Sequence, residues 1–197
     1  MDLTGGPPGS TPLSIDDLEG LRLSWVQTQT DLNGAEQTNI EQAFTWAFGR
    51  RRGVDRLLDV SFVNQVHRRM FGDVWKWAGK FRLVVTNIGV EPMHIQTSLY
   101  QALENARWWH EQATYGPVEI AVRLHHAIVT VHPYRNGNGR HSRLVADMYL
   151  HEQGLSRLTW GIHDVVSAGD TRARYIAALQ AADSGDYLPL FEFATSA

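Results

Sequence analysis

Apolar residues recur at steps of three and four along most of this chain, and that spacing predicts a mainly α-helical protein. Val118 to Val131 carries Ala121, Leu124, Ile128 and Val131 on one face. Leu144, Val145, Met148 and Leu150 do the same for Arg140 to Gln153, and Gly154 stands just beyond as a stop. The same reading predicts helices over Glu36–Arg50, Ser61–Phe71, Ser98–Gln112 and Thr171–Ala182. Ser98 with Gln101 has the spacing of a capping box. Two short runs, Phe81–Val85 and Val90–Ile95, are β-prone and joined by Thr86-Asn-Ile-Gly89, which predicts a small hairpin. Asp55–Asp59 and Leu188–Phe193 carry no readable chemical signal.

Between two of these helices lies His132-Pro-Tyr-Arg-Asn-Gly-Asn-Gly-Arg-His-Ser-Arg143. Pro133 cannot continue a helix and pushes its predecessor out of the α region, so the first helix should end near His132, at a loop mouth. Gly137 and Gly139 stand at the entrance of the second helix. Glycine there allows positive φ and lets an anion approach without a Cβ in the way. The first N–H groups of a helix have no partner within it and carry the positive end of its dipole. Arg140 and Arg143, three residues apart, add two guanidinium forks suited to phosphate oxygens. A plain turn with solvated arginines accounts for each residue singly; the whole constellation points to phosphate chemistry.

This segment resembles the signature of the Fic family, His-Pro-Phe-x-Asp/Glu-Gly-Asn-Gly-Arg-x-x-Arg. Leu124–Val131 resembles the helix leading into it, and Trp77-Ala-Gly-Lys-Phe-Arg82 with Val84–Val90 resembles the family's flap region. With Leu32–Ile40 upstream, the layout is similar to a short bacterial group called mobile mystery protein B. The resemblance covers most of residues 30–185. It implies a Fic-type helical bundle with a small β-hairpin flap beside the active site, over residues 31–197, preceded by an N-terminal extension, residues 1–30. The implied activity is transfer of AMP from ATP to a Tyr, Thr or Ser hydroxyl of a target protein.

On that resemblance His132 is the general base, a role suited to an imidazole largely neutral near pH 7. Asn138 and the backbone at Gly137 and Gly139 would hold the α-phosphate, and Arg140 and Arg143 the β- and γ-phosphates. Tyr134 replaces the usual Phe and needs a partner for its hydroxyl. Asn136 replaces the usual Asp or Glu at the Mg²⁺ position, and a neutral amide is a weaker ligand for a hard cation. Mg²⁺ is then expected to bind chiefly through ATP and water. Two alternatives stay open: phosphotransfer as in the Doc relatives, and a nucleotide-binding or protein-interaction module without turnover. Asn87, Ile88 and Gly89 resemble positions of a hairpin that accepts a target strand by edge addition.

Many family members are restrained by a glutamate that pairs with the last arginine of the signature. Glu19, followed by Gly20, is the nearest match; the same residues, after Ser14, also read as an ordinary helix start. Glu36 and Glu41 are weaker candidates, since neither is followed by Gly or Asn.

Composition narrows the classes. A chain of 197 residues, 43% hydrophobic and 20% charged, is ordinary for one globular domain. A net charge of −3 argues against a nucleic-acid binder. Arg50-Arg-Arg52 is the only basic run, and reads as a helix C-terminus. There is no cysteine, which is compatible with a reducing cytoplasm. No apolar run reaches membrane-spanning length. Met1–Pro12 is Gly/Pro-rich, lacks the apolar run of a secretory signal, and is expected to be flexible. No P-loop pattern occurs, and His110-Glu111 and His151-Glu152 lack the second histidine of a zinc-protease helix. By the family analogy, a helix-turn-helix protein and a second copy of the chain are candidate partners beside the target.

Overall fold

In a computed structural model, residues 18–161 and 168–196 are described. Met1–Pro12, Ser14 and the rest of the N-terminal extension up to residue 17 lie outside them. Among the described residues the helices are α1 (Gln29–Phe48), α2 (Val54–Leu57), α3 (Val60–Phe71), α4 (Ile95–Glu111), α5 (Pro117–Val131), α6 (Asn138–Glu152), α7 (Ala168–Asp183) and α8 (Leu188–Thr195). The mainly α expectation therefore stands.

The centre is the pair α5 and α6, joined by the loop at 132–137. α4 packs on α5, α1 packs on α3, and α7 pairs with α8. Ala121, Leu124, Ile128, Leu144, Val145 and Leu150 are fully buried in the shared core. Each buried aliphatic contributes about 1.5–3 kcal/mol, so truncating Leu124 or Leu144 to Ala should cost about 2–5 kcal/mol. The helix pair that carries the signature is thus the best-anchored part of the fold.

Local chemistry sets the ends. Thr28 caps α1, its hydroxyl accepting from the Asp31 N–H while the Asp31 carboxylate accepts from the Thr28 N–H. α1 therefore begins seven residues before Glu36, and residues 30 and 31 lie within one helix. Asp59, which carried no signal in the sequence, caps α3 through the Ser61 and Phe62 N–H groups. Arg52 closes α1 from beyond its end by donating to the Trp46 and Ala47 carbonyls, as the basic run predicted. α6 ends as expected at Gly154, φ 75°, with Gly154 N–H to His151 O and Leu155 N–H to Leu150 O.

Two expectations are corrected. The 3₁₀ turn Pro92–His94 leads directly into α4, so Ser98 is inside the helix and caps nothing; Gln101 bonds Asn105 instead. The hairpin over residues 81–95 does not form: no strand occurs there, and its second arm becomes the 3₁₀ turn and the start of α4. Residues 81–90 make an irregular arch whose end N–H groups bond not to each other but to the chain leaving α5. Arg82 N–H donates to Pro133 O at 2.9 Å, and Val90 N–H to Val131 O at 3.3 Å.

Candidate active site

The loop between α5 and α6 is held from several sides. α5 ends with His132 in the left-handed region, φ 52°, ψ 59°, which is uncommon for a residue with a Cβ. Gly137 starts α6 at φ 78°, and a Cβ there would lie 2.5 Å from the Phe71 ring. Only glycine fits, as the sequence predicted for this position. Gly139 is different: a Cβ would meet the Tyr175 hydroxyl at an ordinary 3.5 Å. The first bond of the α6 ladder is His141 N–H to Gly137 O, so the N–H groups ahead of it mark the helix's anion-attracting end.

Asn138 is buried, and both ends of its amide are engaged. Its oxygen accepts from the Tyr134 N–H at 2.9 Å and its nitrogen donates to Tyr134 O at 2.8 Å. These two bonds lock the loop and use one of the two N–H groups on the amide nitrogen. Tyr134 is fully buried and its hydroxyl donates to Asn64 Oδ1 at 2.8 Å, the partner its ring position required. The Asn136 side-chain oxygen accepts from the Gly137 N–H at 2.6 Å, and the Asn136 backbone carbonyl lies 3.0 Å from His67 Nε2.

His67 went unnoticed in the sequence. It is fully buried and stacks on Tyr134, ring centres 3.7 Å apart. Its Nδ1 accepts the Gly79 N–H, which places the proton on Nε2, facing Asn136 O. Burial holds this ring well below the usual histidine range, so it acts as a neutral strut. His141, donating from Nε2 to Val63 O, is pushed down by burial to about 4.

His132 is only 6% exposed, deeper than a loop mouth suggested. Gly89, φ 101°, lies against it: a Cβ on residue 89 would sit 2.5 Å from His132 Cβ. Burial lowers the imidazole to about 4, and the Arg82 cation adds to the effect. The ring is therefore neutral through the physiological range, as a base must be. Asn87 and Ile88 are exposed on the crest of the same arch.

The two arginines take different neighbours. Arg140 donates from Nη1 to Glu36 Oε2 at 2.7 Å and covers the Phe71 ring at 4.9 Å. Glu36 is buried, and its other oxygen accepts from Trp75 Nε1 at 2.7 Å. Arg143 lies over the Tyr175 ring at 4.4 Å, with Nε buried and without a hydrogen-bond partner among the described residues. Tyr175 in turn bonds His125 Nε2 at 3.1 Å. Glu19 is exposed and makes no ion pair with Arg143; its carbonyl takes a bond from Lys76. The glutamate that reaches a signature arginine is Glu36, and its partner is the first arginine, not the last.

Residues 57–150 match the model of the Fic/DOC family. The chain is 29% identical over 140 residues to protein adenylyltransferase fic-1 of Caenorhabditis briggsae, covering 69% of this chain and 26% of that protein. It is 29% identical over 145 residues to protein adenylyltransferase Fic of Drosophila melanogaster, covering 69% and 27%. It thus spans about a quarter of the length of the curated relatives it matches. Among solved structures it is similar to the Bartonella tribocorum BepC protein with bound AMPPNP. The TM-score is 0.66 at 16% identity, over 85% of this chain and 86% of that one. A Fic domain containing signaling protein from Bacteroides thetaiotaomicron gives 0.63 at 19% identity, over 87% and 70%. These structural likenesses establish the fold.

Proposed function

We propose that this chain, which carries a Fic/DOC family domain, transfers the AMP moiety of ATP to a Tyr, Thr or Ser hydroxyl of a target protein. The observation that carries the proposal is the juxtaposition at one loop of a neutral, buried His132 with an anion-attracting helix start flanked by Arg140 and Arg143. In this reading His132 takes the proton from the target hydroxyl as its oxygen bonds to the α-phosphorus. The bond to the β-phosphate's bridging oxygen breaks, and pyrophosphate leaves. The N–H groups at the start of α6 stabilise charge growing on the α-phosphate, and the arginines orient the departing phosphates. Mg²⁺ would arrive on the triphosphate, since Asn136 offers one neutral oxygen already engaged with Gly137.

The exposed crest of the arch, Leu83 to Ile88, is the surface on which the target would dock. No described helix is long and apolar enough to cross a membrane, and a chain without cysteine suits the cytoplasm. Self-association and contact with a helix-turn-helix protein belong to the same proposal. Size-exclusion chromatography, alone and with the candidate partner, reads them out.

The test is incubation with cell lysate, Mg²⁺ and ATP labelled at the α- or the γ-phosphorus, using wild type and His132→Ala. Label from the α-position that needs His132 is the expected result. Label from the γ-position alone would replace AMP transfer with phosphotransfer. ATP binding without label from either position would favour a module without turnover.

A further inference from the structure

Arg82 is 1% exposed, and among the described residues no carboxylate forms an ion pair with it, although the Glu91 charge acts on it from a distance. Its guanidinium is used on backbone carbonyls instead. Nε donates to His132 O at 2.7 Å, Nη1 to Val84 O at 2.8 Å, and Nη2 to Val90 O. Its own N–H donates to Pro133 O. Bonds from a charged donor are stronger than neutral ones, and desolvating a cation is costly unless such bonds compensate. One rigid planar group therefore ties the proposed base to both sides of the arch above it. Beside these bonds the arch has the Val90 N–H on Val131 O and the Thr86 hydroxyl on Ile88 O, no ladder forms, and Leu83, Val84, Val85 and Ile88 are 81%, 52%, 67% and 49% exposed. His132 meanwhile sits in a backbone region that residues with a Cβ leave readily unless held.

We propose that Arg82 is a positioning residue for the His132 base, and that its single guanidinium makes the base and the exposed arch over residues 83–88 one mechanical unit. The proposal rests on the reading of His132 as the base. Pressure on the arch from a docked strand is passed to the His132 carbonyl through the fork that also holds Val84 O. Lysine cannot substitute, because an ammonium on a flexible stem lacks the planar fork that spans three carbonyls.

The test compares wild type with Arg82→Lys and Arg82→Gln in the full chain, each first shown to be folded by its thermal transition. The spectroscopic arm records the His132 Cε1 NMR signal and the methyl signals of Val84, Val85 and Ile88. In wild type they should share one exchange behaviour. In both variants the His132 signal should broaden separately from the arch methyls, and its titration midpoint should move up towards the ordinary histidine value. The kinetic arm measures AMP transfer at saturating ATP and the ATP dissociation constant. Transfer should fall by about tenfold to a hundredfold, the effect expected of a base displaced by about 1 Å, with ATP affinity within about twofold. A variant whose arch loosens while the His132 signal and midpoint stay unchanged would overturn the proposal and leave Arg82 a staple for the arch alone. Should Arg82→Gln not fold, Arg82→Lys carries the comparison. A wild type that transfers no AMP would sink the catalytic reading, while the NMR arm would still decide whether Arg82 positions His132.

Discussion

The depressed His132 makes a sharp kinetic prediction. A base works only when neutral, and an imidazole at the ordinary value of about 6.5 is about 97% neutral near pH 8 but about 24% neutral near pH 6. A rate governed by such a group would fall about fourfold across that interval. With the imidazole at about 4, the neutral fraction stays near 99% down to pH 6. Activity is then lost only as pH falls towards the folded value, below about pH 5. The cause is burial first, with His132 6% exposed under Gly89, and the Arg82 charge after it. The assay is label transfer from α-labelled ATP at saturating nucleotide, at pH values from about 8 to 5.5, with folding checked at each. A flat profile is expected. A drop of about fourfold between pH 8 and 6 would refute the reasoning, since it would mean that the working ring is solvated and the arch open during turnover.

Acid should also unfold the protein through its buried histidines. His67, His125, His132 and His141 stay neutral when folded, while the unfolded chain binds protons below about 6.5, so stability is lost as pH falls from about 6.5 towards about 4. Each of His132 and His141 contributes about 3 kcal/mol of that loss. Asp147, raised by burial to about 6, opposes it by favouring the folded state at low pH. Urea midpoints followed by tryptophan fluorescence should fall between about pH 7 and 5, and constant midpoints would contradict this account. Glu36→Ala should cost about 2–4 kcal/mol, because it leaves the buried Trp75 N–H unpaired, whereas Glu36→Gln, which can still accept that bond, should cost about 1 kcal/mol. Glu36→Gln should also tighten ATP binding by freeing Arg140; weaker binding on titration would mean that Glu36 orients Arg140 rather than competing for it. Gly137→Ala meets both a positive φ and the Phe71 ring, so a loss of about 2–4 kcal/mol together with loss of ATP binding is expected, and an unchanged melting temperature would count against the loop geometry.

The helices were legible where an apolar stripe ran at helical spacing, as in α5 and α6. They were less so where capping set the limit. Thr28 with Asp31 begins α1 ahead of Gly34, a residue that weakens helix signals. Ser98 resembled a cap because local spacing cannot reveal that Pro92 has already started the turn before it. The arch failed as a hairpin for a tertiary reason. Its apolar residues Leu83, Val84, Val85 and Ile88 face solvent, and its backbone bonds go to residues 131–133 and to the side chain of Arg82, a pairing that no period-two pattern encodes. Glu36 was discounted because the residue after it did not fit a motif, while its position beside Arg140 depends on how α1 lies against α3 and α6.

The signature itself divides into two kinds of residue. Asn138 spends both ends of its amide on Tyr134, the Tyr134 hydroxyl goes to Asn64, and Asn136 takes the Gly137 N–H on its side chain and faces His67 with its carbonyl. These groups build the loop. His132, Arg140 and Arg143 are the side chains that the proposed transfer uses, and each is held by a residue outside the signature: Arg82, Glu36 and Tyr175. A match to the pattern therefore specifies the loop's shape. In the proposed transfer, Arg82, Glu36 and Tyr175 set how those side chains are held, and replacing them would leave the signature intact while changing the site.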